Sequence, residues 1–577
     1  MPARRGVLAF VIVGALLGLV VLLVALNLRR STPPRGSEPV VLVFQVPAVL
    51  DEGPAPARSF PWASRRRARY STYDVVRTLR AAAGDDRVSA LVLHIGPLDW
   101  GWARVGEVRD AVARFRRAGK PVYASIVAGG DREYLLASVA DRVTMPPTAT
   151  LQLDGLVATA TYLRGAFDKF GVSPNFVHVG RFKSGVEPYL RTGMSPEARA
   201  DLDRLLDGLY GVLLDSLASA RRIPRDSVAR LVDDGPFTAS EARHRGLLDS
   251  LVYDPEVDTL ALRRGGRHLS SQTFSQYLGS LPTTTGGSHV ALVVAEGEIV
   301  GGRSRQLPGQ DAVLGSETVI EALRQARTRK AIKAIVLRID SPGGAAQPSD
   351  DIWREVQRCR TVKPVIVSMS DVAASGGYYF AVAADSIVAS PLTITGSIGI
   401  YGGKFNILGL YHKLGLNVET VTRGRHAGML SPFRDFSPEE AGLFERSLES
   451  FYRGFVARVA RGRGLPVAAV DSVAEGRVWT GTAARERRLV DRLGGLETAF
   501  DVARARAHIP AGEELAVEVL PRVRRSFLER AIEDFLSSDE DADVLSALPP
   551  ILRAWAAVES FPRGEPLAIM PYRIDVR

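Results

Sequence analysis

Two stretches that start 244 residues apart, at Asp74 and Thr318, carry one pattern: DVVRTLRAAAGDDRVSALVLHI and TVIEALRQARTRKAIKAIVLRI. An internal repeat of this length restricts the chain to folds that can be built twice. The match extends outwards: 40–46 (VVLVFQV) corresponds to 290–295 (VALVVA), and Ala137–Val143 to Ala381–Ile387. Lys120-Pro121-Val122 corresponds to Lys363-Pro364-Val365, one residue out of step. Ser-Pro-Glu at 195–197 and again at 437–439 leads each time into an amphipathic helical pattern. In both copies short β-branched runs alternate with helical patterns of about 10–15 residues, which predicts α/β architecture with mostly parallel strands.

The 577 residues exceed one ordinary domain, and 46% hydrophobic content suffices for large cores. The expected division is a membrane anchor and linker over 1–38, a first α/β repeat over 39–270, a polar join over 271–288, a second repeat over 289–508 and an extension over 509–577. Gly6–Leu28 is a run of 23 residues without a charge, long enough to span a bilayer, and it ends LNLRRST without a small-x-small exit, so it reads as an uncleaved anchor. The lone cysteine, Cys359, excludes an internal disulfide framework and reads as a buried, inert thiol. The net charge of +10 is spread along the chain, and no nucleic-acid-binding signature accompanies it. Ser537–Asp543 (SSDEDAD) reads as a solvated acidic loop. The eight His residues are dispersed without ligand spacing, so neither a metal nor another cofactor is expected.

The copies differ where chemistry could reside. The second carries DVAASGGYY after a strand-like run, which places Ser375 between strand and helix. At a helix N-terminus unpaired N–H groups favour developing negative charge, and a nucleophilic serine suits that place; a simple N-cap serine followed by two packing glycines is the alternative. At the matching position the first copy reads Gly129-Gly130-Asp131-Arg132, without a hydroxyl. The second copy also has the turn Asp340-Ser341-Pro342-Gly343-Gly344, where the first reads Gly96-Pro97-Leu98-Asp99-Trp100. Conversely, the first copy carries RFKSGVEP around Lys183, and its counterpart near 423–429 has Arg425 or His426 and no Lys. Only eight of the 74 basic residues are Lys. Arginine stays protonated, whereas a desolvated lysine can lose its proton and act as a base. One copy thus offers a serine and the other a lysine, a catalytic pair divided between duplicated domains; drift between the copies, with Lys183 in a surface ion pair with Glu187, would leave the same letters.

RFKSGVEP, LRIDSPGG, DVAASGGYY and ITGSIGIYG occur in this order across roughly residues 40–510. With the repeat and the apolar N-terminal run, the chain resembles the signal peptide peptidase A (SppA) family in its long two-repeat form. The resemblance implies two tandem Clp protease/crotonase-like α/β repeats behind one N-terminal transmembrane helix, assembled as a membrane-tethered homotetramer. It implies a serine endopeptidase that degrades signal peptides and other apolar peptides left in the membrane. Membrane lipid would be met through residues 6–28, in the bacterial inner membrane, with the catalytic body on the periplasmic side. Carried over by motif, Ser375 is the nucleophile, Lys183 the general base, Gly343 an oxyanion-hole donor and Ser397 the hydroxyl that holds the lysine amine. Gly376, directly after Ser375, is a second oxyanion donor by its place. The rival expectations are a general envelope protease, a CoA-ester enzyme on the crotonase fold and a non-catalytic membrane scaffold.

Overall fold

The computed structural model describes residues 39–53, 70–264, 267–282, 287–305, 312–521 and 566–570. The apolar run 6–28 and the acidic stretch 537–543 lie outside the described residues, and no helix among those described is long and apolar enough to cross a membrane.

The first copy contributes strands β1 (Val40–Gln45), β2 (Val88–Ile95), β3 (Val122–Ile126), β4 (Arg142–Met145), β5 (Ser173–Val179), β6 (Ser250–Leu251) and β7 (Ser270–Thr273). Six of them form a parallel sheet in the order β7-β1-β2-β3-β4-β6. All of β2 except Ser89 is buried, as expected of a parallel strand covered by helices on both faces. Of the covering helices, α1 (Thr72–Gly84) begins with a capping box: Ser71 Oγ accepts from the Asp74 N–H at 3.1 Å and the Asp74 carboxylate accepts from the Ser71 N–H at 3.1 Å. Next comes α2 (Trp102–Arg117), which turns one face toward the second copy.

The second copy repeats this plan with β8 (Ser288–Glu296), β9 (Ile332–Ser341), β10 (Gly343–Ala345), β11 (Val365–Ala374), β12 (Ile394–Gly396), β13 (Ile400–Asn406), β14 (Leu515–Leu520) and β15 (Leu567–Ile569). Its main sheet runs β12-β11-β9-β8-β14, all parallel, with Val478–Thr480 antiparallel outside β12. The two Ser-Pro-Glu signals open helices of 26 residues each, α3 (Pro196–Arg221) and α4 (Pro438–Arg463), with Ser195 and Ser437 as N-caps and proline in the first turn.

A third sheet joins the copies. Its order is Val313–Gly315, Glu298–Val300, β10, β15, β13, β5. Here β5 of the first copy lies antiparallel on β13 of the second, from Ile400↔Val179 to Asn406↔Ser173. The chain that follows β5 is therefore delivered into the second copy.

Two expected boundaries are corrected. The stretch 271–288 is not a polar join throughout: β7 pairs with β1, and the helix Phe274–Ser280 buries Phe274 and Tyr277 in the first core. Phe274 stacks on Phe44 at 4.0 Å between centroids, and two aromatic anchors suffice to hold a short polar segment in place. Likewise 509–577 is not simply an appendage, because β14 extends the second sheet beside β8 and β15 enters the third.

Candidate active site

Strand β11 runs through the start of the DVAASGGYY motif as far as Ala374, so the turn is a single residue. Ser375 takes φ 51°, ψ −111°, an unusual conformation for a residue with a side chain, between β11 and the helix Gly376–Ala381. Such strain persists only where the surroundings fix it, at about 1–3 kcal/mol. Here the Ser375 N–H donates to the Gly396 carbonyl at 2.8 Å and its carbonyl accepts from the Tyr379 N–H at 2.8 Å. The hydroxyl caps no helix N–H, so the plain N-cap reading does not hold.

Lys183 follows β5 by four residues and is wholly buried, as is Ser375. Its Nζ lies 2.8 Å from Ser375 Oγ, 2.9 Å from Ser397 Oγ and 3.0 Å from the Ser397 carbonyl oxygen. The surface ion pair with Glu187 is absent: that carboxylate accepts from the Ser195 backbone N–H at 3.0 Å and also from its hydroxyl. Burial alone pushes the Lys183 amine well below the ordinary lysine range. A neutral amine has two N–H donors and one lone pair. Donation to the two Ser397 oxygens leaves the lone pair facing the Ser375 hydroxyl.

Ser397 is both a turn residue and a ligand of the amine: it takes φ 50° and donates its N–H to the Arg477 carbonyl at 2.7 Å. Two glycines let Lys183 reach this place. A Cβ on Gly476 would sit 2.4 Å from the Lys183 nitrogen, and one on Gly399 would sit 3.1 Å from Lys183 Cδ. Gly343 and Gly376 come together as expected, since a Cβ on Gly343 would meet the Gly376 nitrogen at 2.8 Å. The Gly343 N–H is occupied, however: it donates at 3.2 Å to Ser341 Oγ, which donates at 2.7 Å to the Gly297 carbonyl. Arg425 and His426, the second copy's counterparts of Lys183, face Glu439 at 3.4 and 3.6 Å instead of a hydroxyl.

Sequence reasoning missed a buried ionic cluster beneath the site. Arg338 on β9 is fully buried and donates to Glu52 at 2.9 and 3.0 Å, to Glu107 at 2.8 Å and to Ser370 at 3.0 Å. Arg104 on α2 donates to Asp371 and, at 3.2 Å, to Asp340. Glu52, Arg104 and Glu107 belong to the first copy; Arg338, Asp340 and Asp371 lie on the strands that lead to Gly343 and Ser375. The available signal was a charge, Arg338, inside the apolar run IVLRI. Among the described residues no group of three or more His, Cys, Asp or Glu side chains is placed to hold a metal ion. Cys359 is buried and its thiol is pushed up to about 12, mainly by desolvation.

A scan against family descriptions matches Peptidase family S49 twice, over residues 114–262 and 357–509, one match in each copy. The chain belongs to peptidase family S49. It is 38% identical over 450 residues to "Serine protease SPPA, chloroplastic" of Arabidopsis thaliana, a match covering 76% of this chain and 66% of that protein. It is 32% identical over 444 residues to "Protease 4" of Salmonella typhi, covering 74% of this chain and 71% of that one. Two S49 domains and this homology identify the chain as a serine peptidase related to SppA and Protease 4. A solved structure of the 1510-N membrane-bound stomatin-specific protease with a substrate peptide aligns at a TM-score of 0.27 and 15% identity, over 43% of this chain and 98% of that one, too low to support a shared fold.

Proposed function

We propose that this S49 peptidase cleaves peptide bonds with a Ser375–Lys183 dyad and that its substrates are signal peptides left in the membrane after preprotein processing. One observation carries the dyad: a fully buried lysine, with an amine held below its ordinary range by desolvation, within hydrogen-bond distance of a strained serine hydroxyl. Neutral Lys183 takes the proton from Ser375, and the alkoxide attacks the carbonyl carbon and forms an acyl-enzyme with loss of the amine product. Lys183 then takes a proton from water for deacylation. Gly376 N–H, at the first position of its helix, lacks an intrahelical partner and is one oxyanion donor; Gly343 N–H is the second once it turns from Ser341 Oγ. Each such donor is worth about 3 kcal/mol in the transition state.

The signal-peptide reading rests on the homology to SppA-named proteins and on the apolar run 6–28, which would anchor the enzyme as a single-pass inner-membrane protein with the peptidase body on the periplasmic side. Assembly as a homotetramer belongs to the same proposal. The test is hydrolysis of signal-type peptides by the full chain, Ser375→Ala and Lys183→Ala, with serine-directed labelling alongside. Loss of turnover and label in both variants supports the dyad. Full activity in Lys183→Ala would show that the base is another group.

A further inference from the structure

The third sheet leaves a position exactly one strand wide between β10, which starts at Gly343, and β13, which carries the first copy's β5. The chain fills that position itself. β15 lies antiparallel on β10 in the register Gly343↔Ile569, Gly344↔Ala568, Ala345↔Leu567. The ladder is closed at both ends by backbone bonds, Ala346 N–H to the Pro566 carbonyl at 3.1 Å and Met570 N–H to the Pro342 carbonyl at 2.6 Å. On its other side Leu567 pairs with Tyr401 of β13. The Leu567 side chain is buried against Val186, three residues beyond Lys183, and against Tyr401. The Ala568 carbonyl passes so close to the glycines that a Cβ on Gly343 would be 1.9 Å from its oxygen and one on Gly376 would be 3.1 Å from it.

An extended peptide that approaches Ser375 beside these glycines needs the free N–H and C=O groups of a strand edge. With β15 in place neither β10 nor β13 offers one at this point. Resting on the function proposed above, we infer that the β10–β13 gap is a peptide-binding groove whose resident ligand is the chain's own segment Pro566–Met570, so that substrate must displace it. Residues 522–565 join this segment to Pro521, and a tethered segment competes at the effective concentration its link allows, of millimolar order for short flexible links. If the groove is vacant one tenth of the time, the apparent KM is raised about tenfold.

The test uses the full chain and Leu567→Asp, which places a carboxylate in an apolar pocket and expels the segment. Hydrolysis of one signal-type peptide should show KM lowered by about tenfold with kcat little changed. The same peptide, fluorescently labelled, should bind Ser375→Ala/Leu567→Asp more tightly than Ser375→Ala by the same factor. Equal Kd values, or no binding to either protein, overturn the inference even if hydrolysis is robust. A lower Kd without hydrolysis in any form keeps the resident segment and refutes the dyad instead. Ala568→Pro, which removes a backbone donor from the same strand, should repeat the effect. If both variants fail to fold, the segment is a permanent strand of the sheet and the inference falls.

Discussion

Arg104 and Asp371 make a two-point contact across the repeats: the Arg104 backbone N–H donates to one carboxylate oxygen at 2.9 Å and its guanidinium Nε donates to the other. The same guanidinium reaches Asp340 at 3.2 Å, and Asp340 accepts from the Val372 N–H at 3.0 Å. Asp371 precedes Ser375 by four residues and Asp340 precedes Gly343 by three. One first-copy side chain therefore braces both strands that carry the candidate nucleophile and an oxyanion donor.

Arg104→Gln leaves two neighbouring carboxylates without their cation. Removing one member of a buried pair costs about 3–5 kcal/mol, reduced here because the Arg104 side chain retains 16% exposure. The expected outcome is a lower unfolding midpoint, together with a kcat that falls more than KM changes. A kcat equal to that of the parent would mean that the cluster stabilises the fold without positioning Ser375.

Activity should rise with pH through a single ionisation that lies well below the ordinary lysine pKa, because only the neutral Lys183 amine accepts the Ser375 proton and burial disfavours its charged form. The kcat/KM profile of the parent measures this directly. Lys183→Arg keeps the charge but cannot deprotonate, and should be inactive at every pH. A profile that rises only above pH 10 would exclude the amine as base.

Ser397→Ala removes one of two acceptors at the amine and leaves the backbone carbonyl at 3.0 Å. A lost hydrogen bond of about 1 kcal/mol corresponds to roughly a fivefold to tenfold loss of kcat. The pH midpoint should shift as well, which separates an effect on the amine from simple destabilisation. An unchanged kcat and midpoint would assign Ser397 to the turn alone.

Beneath the site the Glu296 carboxyl is pushed up to about 8, first by desolvation and then by Asp340 and Glu52, and Asp340 is pushed up to about 7, first by desolvation. A carboxyl with a raised pKa binds more protons in the folded chain than in the unfolded one, so its contribution to stability is lost as pH rises through the folded value. Thermal midpoints should therefore fall between about pH 5 and pH 8. Glu296→Gln should reduce that slope, and the difference between the two curves removes the opposite contribution of Lys183, whose depressed pKa favours folding as pH rises. Parallel curves would show that Glu296 titrates alike in both states.

The repeat, the alternation of strand and helix, and the Ser-Pro-Glu helix starts were legible because they depend on local chemistry: β-branched runs, capping side chains and proline at the first turn. Ser375 and Lys183 stood out for a different reason, since each sits in a motif that its sister copy lacks. Their 2.8 Å contact was not legible. It depends on β5 leaving its own copy to pair with β13, and a strand partner that far along the chain is chosen by tertiary packing and edge complementarity, not by its own letters. Arg104, Gly476 and the resident strand at Leu567–Ile569 were hidden for the same reason: an arginine on an amphipathic helix, a glycine in a loop and a short apolar tail segment are each unremarkable until another part of the chain is packed against them. The sequence by itself determined which chemistry the chain holds and that the fold is made twice. The tertiary structure decided which groups meet, because desolvation of Lys183, strain at Ser375 and closure of the β10–β13 gap arise only when elements distant in sequence bury one another.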